Sequence, residues 1–391
     1  FFFKQKTAYE IYQCDWSSDV CSSDLVWSDG QLSVLILVPG CGRRSWTGSP
    51  PPLWRALAAR RIFRLDEGMN PARLALMFAL IGSISLSVAA IGEAPRLPGV
   101  GEAMRQMVTQ GEIAGAVTVV VGRDRLLHLE CTGMADVAAQ RAMTPDTLFN
   151  IMSMTKPVTA VAVLMLQDDG KLRVSDPVAK FIPAFADLKT PSGQPANLTI
   201  AQLMTHTSGL GEAAGPAARD ARTLADLVPL WLAAPMQYEP GAKWKYTQSG
   251  INCAARIVEI ASGKSFPAFL AERLFGPLGM KDTTHTPAGG QITRIATPYA
   301  RNKDSGALEP GRVASPVPGE RPPTGNAGLY ASAKDYARFC QMLLNGGSLE
   351  GRRYLSAEAM TYLTMPQTRD LPTGFFQNDR SEEHTSELQS H

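Results

Sequence analysis

The order of elements along this sequence predicts an α+β protein: an antiparallel sheet flanked by helices, with a mostly helical subdomain. Three observations point there. Ala114 to Val121 (AGAVTVVV) and Arg125 to Cys131 are strand-like runs separated by Gly122-Arg123-Asp124, which has turn chemistry, so the pair reads as a hairpin. Helical periodicity dominates the chain beyond Met154. Strands, a long helical middle and then strands again is the pattern of helices packed on one antiparallel sheet.

The elements follow in order. Glu102 to Gln110 has the spacing of a short amphipathic helix ahead of the hairpin, and Thr144-Pro145-Asp146 breaks the chain after it. From Met154 the apolar residues Val158, Val161, Leu164, Met165 and Leu166 keep a helical period up to Gly170, which stands where a C-terminal cap belongs. Pro157 falls in the first turn, where its missing N–H costs little. Asp176-Pro177-Val178 and Phe181-Ile182-Pro183 make a tight connection, and Thr199 to Met204 starts another short helix. Leu224 to Ala234 reads as an amphipathic helix, Ile251 to Ala261 as a second stopped by Ser262-Gly263, and Phe266 to Leu274 as a third before the Pro277 to Met280 turn. Residues 286–327 are rich in Gly and Pro and read as loop; Ser332 to Leu344 is a capped helix with Asp335 in its first turn. There are no internal repeats and no Gly-rich phosphate loop.

Both ends stand apart. Phe1 to Leu25 has no apolar period, and back-translated it resembles a short-read library adapter; Arg380 to His391 resembles the complementary adapter. Residues 1–25 and 380–391 are therefore expected to be artefacts, and 26–68, with its Pro50-Pro51-Pro52, upstream read-through. Met69 to Ala90, with Arg73 ahead of the apolar run Leu74 to Val88, has the layout of a secretory signal peptide and is short for a membrane span. The expected domain is 91–379, cut before its C-terminal strands, in a periplasmic or secreted protein. An edge left open by such a cut invites aggregation. The formal net charge is +2; without the two ends, each of net −2, it is +6, mildly basic and without a dense Lys/Arg patch, so nucleic acid is not implied. Cys41, Cys131, Cys253 and Cys340 form no Cys-x-x-Cys pair and read as small buried residues rather than zinc ligands.

The chemistry centres on Phe149 to Pro157 (FNIMSMTKP). Ser153 and Lys156, three residues apart, share one face of a helix, where a lysine amine can take the serine proton. At a helix N-terminus the free N–H groups and the dipole favour developing negative charge. Ser-x-x-Lys is a signature of penicillin-interacting serine hydrolases. His206 near Ser208 makes no triad, there is no Gly-x-Ser-x-Gly elbow, and His206 is expected to shape its loop. His128 reads as a surface or packing residue and His285 as a turn residue, while Asp176 and Asp335 are expected to make turn and cap hydrogen bonds.

Five segments in order, Phe149 to Lys156, Gly170 to Val178, Leu203 to Leu210, Pro240 to Tyr246 and Gly328 to Arg338, resemble the β-lactamase-related serine hydrolases: class C β-lactamases, D-alanyl-D-alanine peptidases and esterases of the same fold. The resemblance implies a cofactor-free, metal-free enzyme with Ser153 as the acylated nucleophile and Lys156 as its proton acceptor. Tyr246 falls on the family's Tyr-x-Asn tyrosine, the second member of the base system, with a pKa lowered by Lys156. Gln248 stands where the family has Asn and is expected to touch substrate. The family's late Lys/His-x-Gly strand, which lends a donor to the oxyanion hole, is not found after Tyr246. The resemblance implies hydrolysis of a small ester or amide, with a β-lactam or a peptidoglycan stem peptide as the alternative substrate. A non-catalytic binding module, or an inactive fragment, is the alternative of another class.

Overall fold

Among the described residues the principal sheet has five strands in sequence order, each antiparallel to the next: β1 (Ser23–Ser28), β2 (Leu32–Leu37), β3 (Gly115–Val121), β4 (Leu126–Asp136) and β5 (Arg141–Ala142). The computed structural model describes the backbone of β1 and β2, and residues 95–302, 304–311, 317, 319–368 and 371–372 with their side chains. The leader segment, most of the adapter-like and read-through residues, and the region after 372 lie outside the described residues. β2 pairs with the edge of β3 that faces away from β4, from Ser33 opposite Val121 to Leu37 opposite Val117. Residues set aside in the sequence therefore take part in the sheet.

β3 is buried along its whole length because both faces are covered. Its side chains alternate across the sheet. Ala116 meets Met104 of α1 (Val100–Thr109), while Val117, Val119 and Val121 join the main core. On the α1 side Thr118 Oγ bonds His128 Nε2 at 2.8 Å and the Leu97 N–H donates to His128 Nδ1 at 2.9 Å, so His128 is a packing residue with both nitrogens satisfied. β4 runs on to Asp136, past the expected end at Cys131, with a register shift opposite Val120 and Val121.

A three-residue strand, β6 (Leu148–Asn150), leads into a 3₁₀ turn (Met152–Met154) and helix α2 (Thr155–Asp168). Val158, Val161, Ala162, Val163, Leu164 and Leu166 are all fully buried, so α2 is enclosed on all sides rather than laid on a surface. α3 (Ile200–Met204) opens on a reciprocal cap between Thr199 and Gln202. The helical subdomain continues with α4 (Gly215–Asp220) and α5 (Val228–Ala233). α6 (Ser249–Ser262) packs on both α2 and α3 and ends at Gly263 with φ 70°.

The single helix expected over Leu224 to Ala234 is instead a 3₁₀ turn (Ala225–Leu227) followed by α5, whose second residue is Pro229. Proline has no N–H to bond the preceding turn and its ring crowds it, so an unbroken α-helix cannot pass. The same cause shapes Phe266 to Leu274: α7 (Phe266–Leu270) widens into a π turn (Ala271–Phe275) before Pro277 in α8 (Gly276–Leu278). The expected loop 286–327 carries a 3₁₀ turn (Gly289–Arg294) and a small hairpin, β7 (Tyr299–Arg301) with β8 (Leu308–Pro310). β9 (Tyr330–Ser332) pairs with β6 and runs into α9 (Ala333–Leu344), capped by Ser332 Oγ on the Asp335 N–H. The hairpin of β10 (Ser348–Leu349) and β11 (Arg352–Arg353), then α10 (Ala357–Thr364), follow. Cys253 and Cys340 are buried and Cys131 half-buried, all as free thiols. No helix among the described residues is long and apolar enough to cross a membrane.

Leu164 lies at the centre of α2 and is fully buried. Leu164→Ala is expected to cost about 2–5 kcal/mol of stability, read as a lower denaturant midpoint with an unchanged slope.

Candidate active site

The site is built where β6 meets β9. Leu148, Phe149 and Asn150 pair with Ser332, Ala331 and Tyr330, and the Ile151 N–H continues the ladder onto Leu329 O at 2.9 Å. Below that point the chain must turn into α2. Met152 makes the turn with φ 44°, a left-handed backbone that costs on the order of 1 kcal/mol for a residue with a side chain. Asn150 Oδ1 steadies it by accepting the Met152 N–H at 3.0 Å, and Tyr336 Oη donates to Met154 O at 3.0 Å. Ser153 is thereby held in the 3₁₀ turn at the head of α2, as the sequence places it.

Lys156 sits one turn on, only 2% exposed. Its Nζ is 3.1 Å from Ser153 Oγ and 3.0 Å from Asn326 O. Burial in this apolar setting lowers its pKa from 10.5 to about 7, while the carboxylate of Glu212 pulls in the opposite direction. Near neutral pH a large share of the amine is therefore unprotonated and able to accept a proton.

Tyr246 completes the trio. Its hydroxyl donates to Ser153 Oγ at 2.7 Å. The expected lowering of its pKa by Lys156 is not what the geometry gives. The amine stands over the ring face, 4.5 Å from the centroid, rather than against the oxygen. Burial dominates and raises the tyrosine pKa, with the Ser153 hydrogen bond only partly opposing it. Tyr246 is a phenol that holds its proton.

His206 serves this tyrosine from behind. Its carbonyl accepts the Lys245 N–H at 3.0 Å, its Nδ1 accepts the Thr247 N–H at 3.3 Å, and its ring lies 4.7 Å from that of Tyr246. Burial holds its pKa well below 6.5. The loop-shaping role expected for it is thus visible in both its backbone and its ring. Gly209, with φ 70°, lets the same loop pass against Tyr238; a Cβ there would lie 2.2 Å from Tyr238 O.

Gln248 lies on the cleft wall, but its Oε1 is engaged by Asn326 Nδ2 at 2.7 Å. Asn326 is in turn fixed by Asn252 Oδ1, which accepts its N–H at 3.1 Å. The cleft has a volume of about 330 Å³, with Met152, Ala213, Leu227 and Trp231 as apolar lining and Glu212 and Asn326 among the polar groups. Asn326 and Glu212 were not singled out in the sequence. Asn326 acts on Lys156 through a backbone carbonyl, which leaves no residue signature. Glu212 does carry a signal, a lone acid just past the Leu203 to Leu210 segment.

The remaining candidates lie elsewhere. Asp176 accepts the Arg173 N–H at 2.8 Å, the expected turn bond. Asp335 makes both kinds of bond: its N–H serves the helix cap, and its carboxylate accepts the Asp282 N–H at 2.7 Å and the Thr283 hydroxyl at 2.9 Å, which pins the 282–283 turn. His285 is buried with Nε2 3.3 Å from Thr324 O, and its pKa is pushed down to about 3 by burial.

A family model described as Beta-lactamase matches residues 100–389. An uncharacterized protein of Mycobacterium tuberculosis is 33% identical over 296 residues, covering 70% of this chain and 73% of its own length. Esterase EstB of Burkholderia gladioli is 31% identical over 268 residues, covering 60% of this chain and 66% of the esterase. The solved structure of EstCE1, described as a hydrolase with promiscuous acyltransferase activity, superposes with a TM-score of 0.59 at 22% identity, over 66% of this chain and 74% of that one, a likeness of fold.

The buried amine has a consequence for stability. Its pKa is about 7 in the folded chain against an ordinary 10.5, so between those values the unfolded chain binds more protons and stability rises with pH. The cost is full below about pH 7. Lys156→Met is expected to raise the unfolding free energy at pH 6 by a few kcal/mol, with a gain that shrinks steadily toward pH 10, as measured by urea unfolding across that range.

Proposed function

Because the chain belongs to the beta-lactamase family and is a serine hydrolase of that family, we propose that Ser153 is its nucleophile, with Lys156 and Tyr246 as the proton-handling pair, and that its substrates are small esters. The observation that carries this reading is the convergence of an amine at 3.1 Å and a phenol at 2.7 Å on one serine oxygen. In the neutral amine the Lys156 lone pair accepts the Ser153 proton as Oγ attacks the acyl carbon. Tyr246 then gives its proton to the departing alkoxide, and the Lys156 ammonium returns one to the phenolate by way of solvent, since the amine stands over the ring face and not against the oxygen. The net result moves the serine proton to the leaving group and leaves an acyl-serine. Water entering the vacated leaving-group position reverses the sequence and frees the acid.

Support for an ester comes from Gln248. Its Oε1 is already engaged by Asn326 Nδ2, which reduces its capacity to accept an N–H from a substrate amide. An ester brings no such donor. The apolar lining from Met152, Leu227 and Trp231 suits a compact acyl chain, and the similarity to an esterase runs the same way. Export to the periplasm or medium is part of the proposal and rests on the Met69 to Ala90 segment alone.

Treatment with a fluorophosphonate probe followed by peptide mass spectrometry tests the nucleophile. An adduct on Ser153 is expected, absent in Ser153→Ala and strongly slowed in Lys156→Ala; Tyr246→Phe is expected to lose about 10²–10⁴ in ester turnover. Short p-nitrophenyl esters should be turned over faster than a chromogenic cephalosporin or a D-alanyl-D-alanine peptide, and the reverse order would favour the lactamase or peptidase assignment. A folded protein that takes no label would overturn the hydrolase role of Ser153 and leave a binding module.

A further inference from the structure

Glu212 sits on the cleft wall, and both of its carboxylate oxygens are turned toward the head of α6. Oε1 accepts the Gln248 N–H at 2.6 Å; Oε2 accepts the Ser249 N–H at 2.9 Å and the Ser249 hydroxyl at 2.7 Å. In return, the Ala213 N–H donates to Ser249 Oγ at 3.1 Å, so the two segments clasp each other across some 36 residues of chain. These are charge-assisted bonds to the otherwise unpaired N–H groups of a helix start. Gly211 lets the segment reach this place, because a Cβ there would lie 2.6 Å from Ala234 Cβ. The clasped turn is the one that carries Tyr246 and Gln248.

The groups around the Lys156 amine are Ser153 Oγ, Asn326 O, the ring of Tyr246, the neutral His206 and Glu212. Glu212 is the one among them that carries negative charge. We infer that Glu212 is a positioning residue of this hydrolase, fixing the Tyr246–Gln248 turn and the head of α6 to the 211–213 segment by hydrogen bonds and acting on Lys156 through its charge. This inference rests on the proposed roles of Ser153 and Lys156. Burial drives the amine toward the neutral form, and the carboxylate opposes that drive, so the two together place its titration near neutrality.

The test is the pH dependence of Ser153 acylation by the fluorophosphonate probe, measured on the full chain. Glu212→Gln keeps the size and removes the charge; Lys156 then loses its proton more readily, and the acid limb of the rate profile is expected to move down by about half a pH unit or more. Glu212→Asp keeps the charge with a shorter reach and should keep the limb near its original position at a lower plateau. Ser249→Ala removes the hydroxyl bond to the carboxylate but keeps its charge and the two backbone N–H bonds, and should also leave the limb in place. If Glu212→Gln, shown to be folded by its thermal transition, loses rate equally at every pH, Glu212 is reduced to a helix cap and the inference is overturned. Absence of label on Ser153 in the unmodified protein would instead remove the hydrolase reading, and this inference with it.

Discussion

Keeping one amine out of water is the constraint on which the rest of this structure turns. Lys156 can accept a proton near neutral pH only if its charged form is disfavoured, and that requires a helix buried on every side. α2 meets the requirement because buried valines, alanines and leucines follow the lysine in sequence and α6 packs along it. A buried amine must still bond something. Asn326 O and Ser153 Oγ supply those partners, the first from a loop 170 residues away.

From that requirement the role of the short strands becomes clear. β6 and β9 are three residues each, too small to add much stability, yet they fix the distance between the serine turn and the 325–329 loop that feeds Asn326 to the lysine. Thr159 Oγ, donating to Gly325 O at 2.7 Å, tightens the same junction from the helix side. The left-handed Met152 is the local cost of turning from strand to helix in so few residues. Tyr246 is held by a different set of contacts, the His206 loop behind it and the Glu212 clasp beyond it, so Ser153 and the phenol belong to separately braced units that meet at one oxygen.

Much of this was legible in the sequence, and the exceptions have physical reasons. The hairpin over 115–136, the valine-rich α2 and the Gly263-stopped α6 all follow local periodicity and capping, which a sequence carries on its face. Ser153 and Lys156 are visible because helical spacing alone makes them neighbours. Tyr246 was placed by resemblance, and the structure brings its hydroxyl to the serine. The direction of its titration is not legible in the sequence, because it depends on whether the amine meets the oxygen or the ring face, a difference of a few ångströms that no motif encodes. Asn326 contributes a carbonyl, which every residue possesses. The broken helices at Pro229 and Pro277 show apolar periodicity overruled by a missing N–H.

The three described histidines add a final consequence. His128 and His206 are held below their ordinary pKa and His285 is pushed to about 3, in each case first by burial. All three imidazoles are thereby biased toward their neutral forms. Calorimetry of covalent inhibition near pH 7, repeated in buffers of different ionisation enthalpy, would therefore read a proton exchange in which Lys156 takes part and which these three imidazoles are biased against. In many hydrolases an imidazole carries that signal; among the described residues of this chain it is the buried amine whose pKa is brought to about 7.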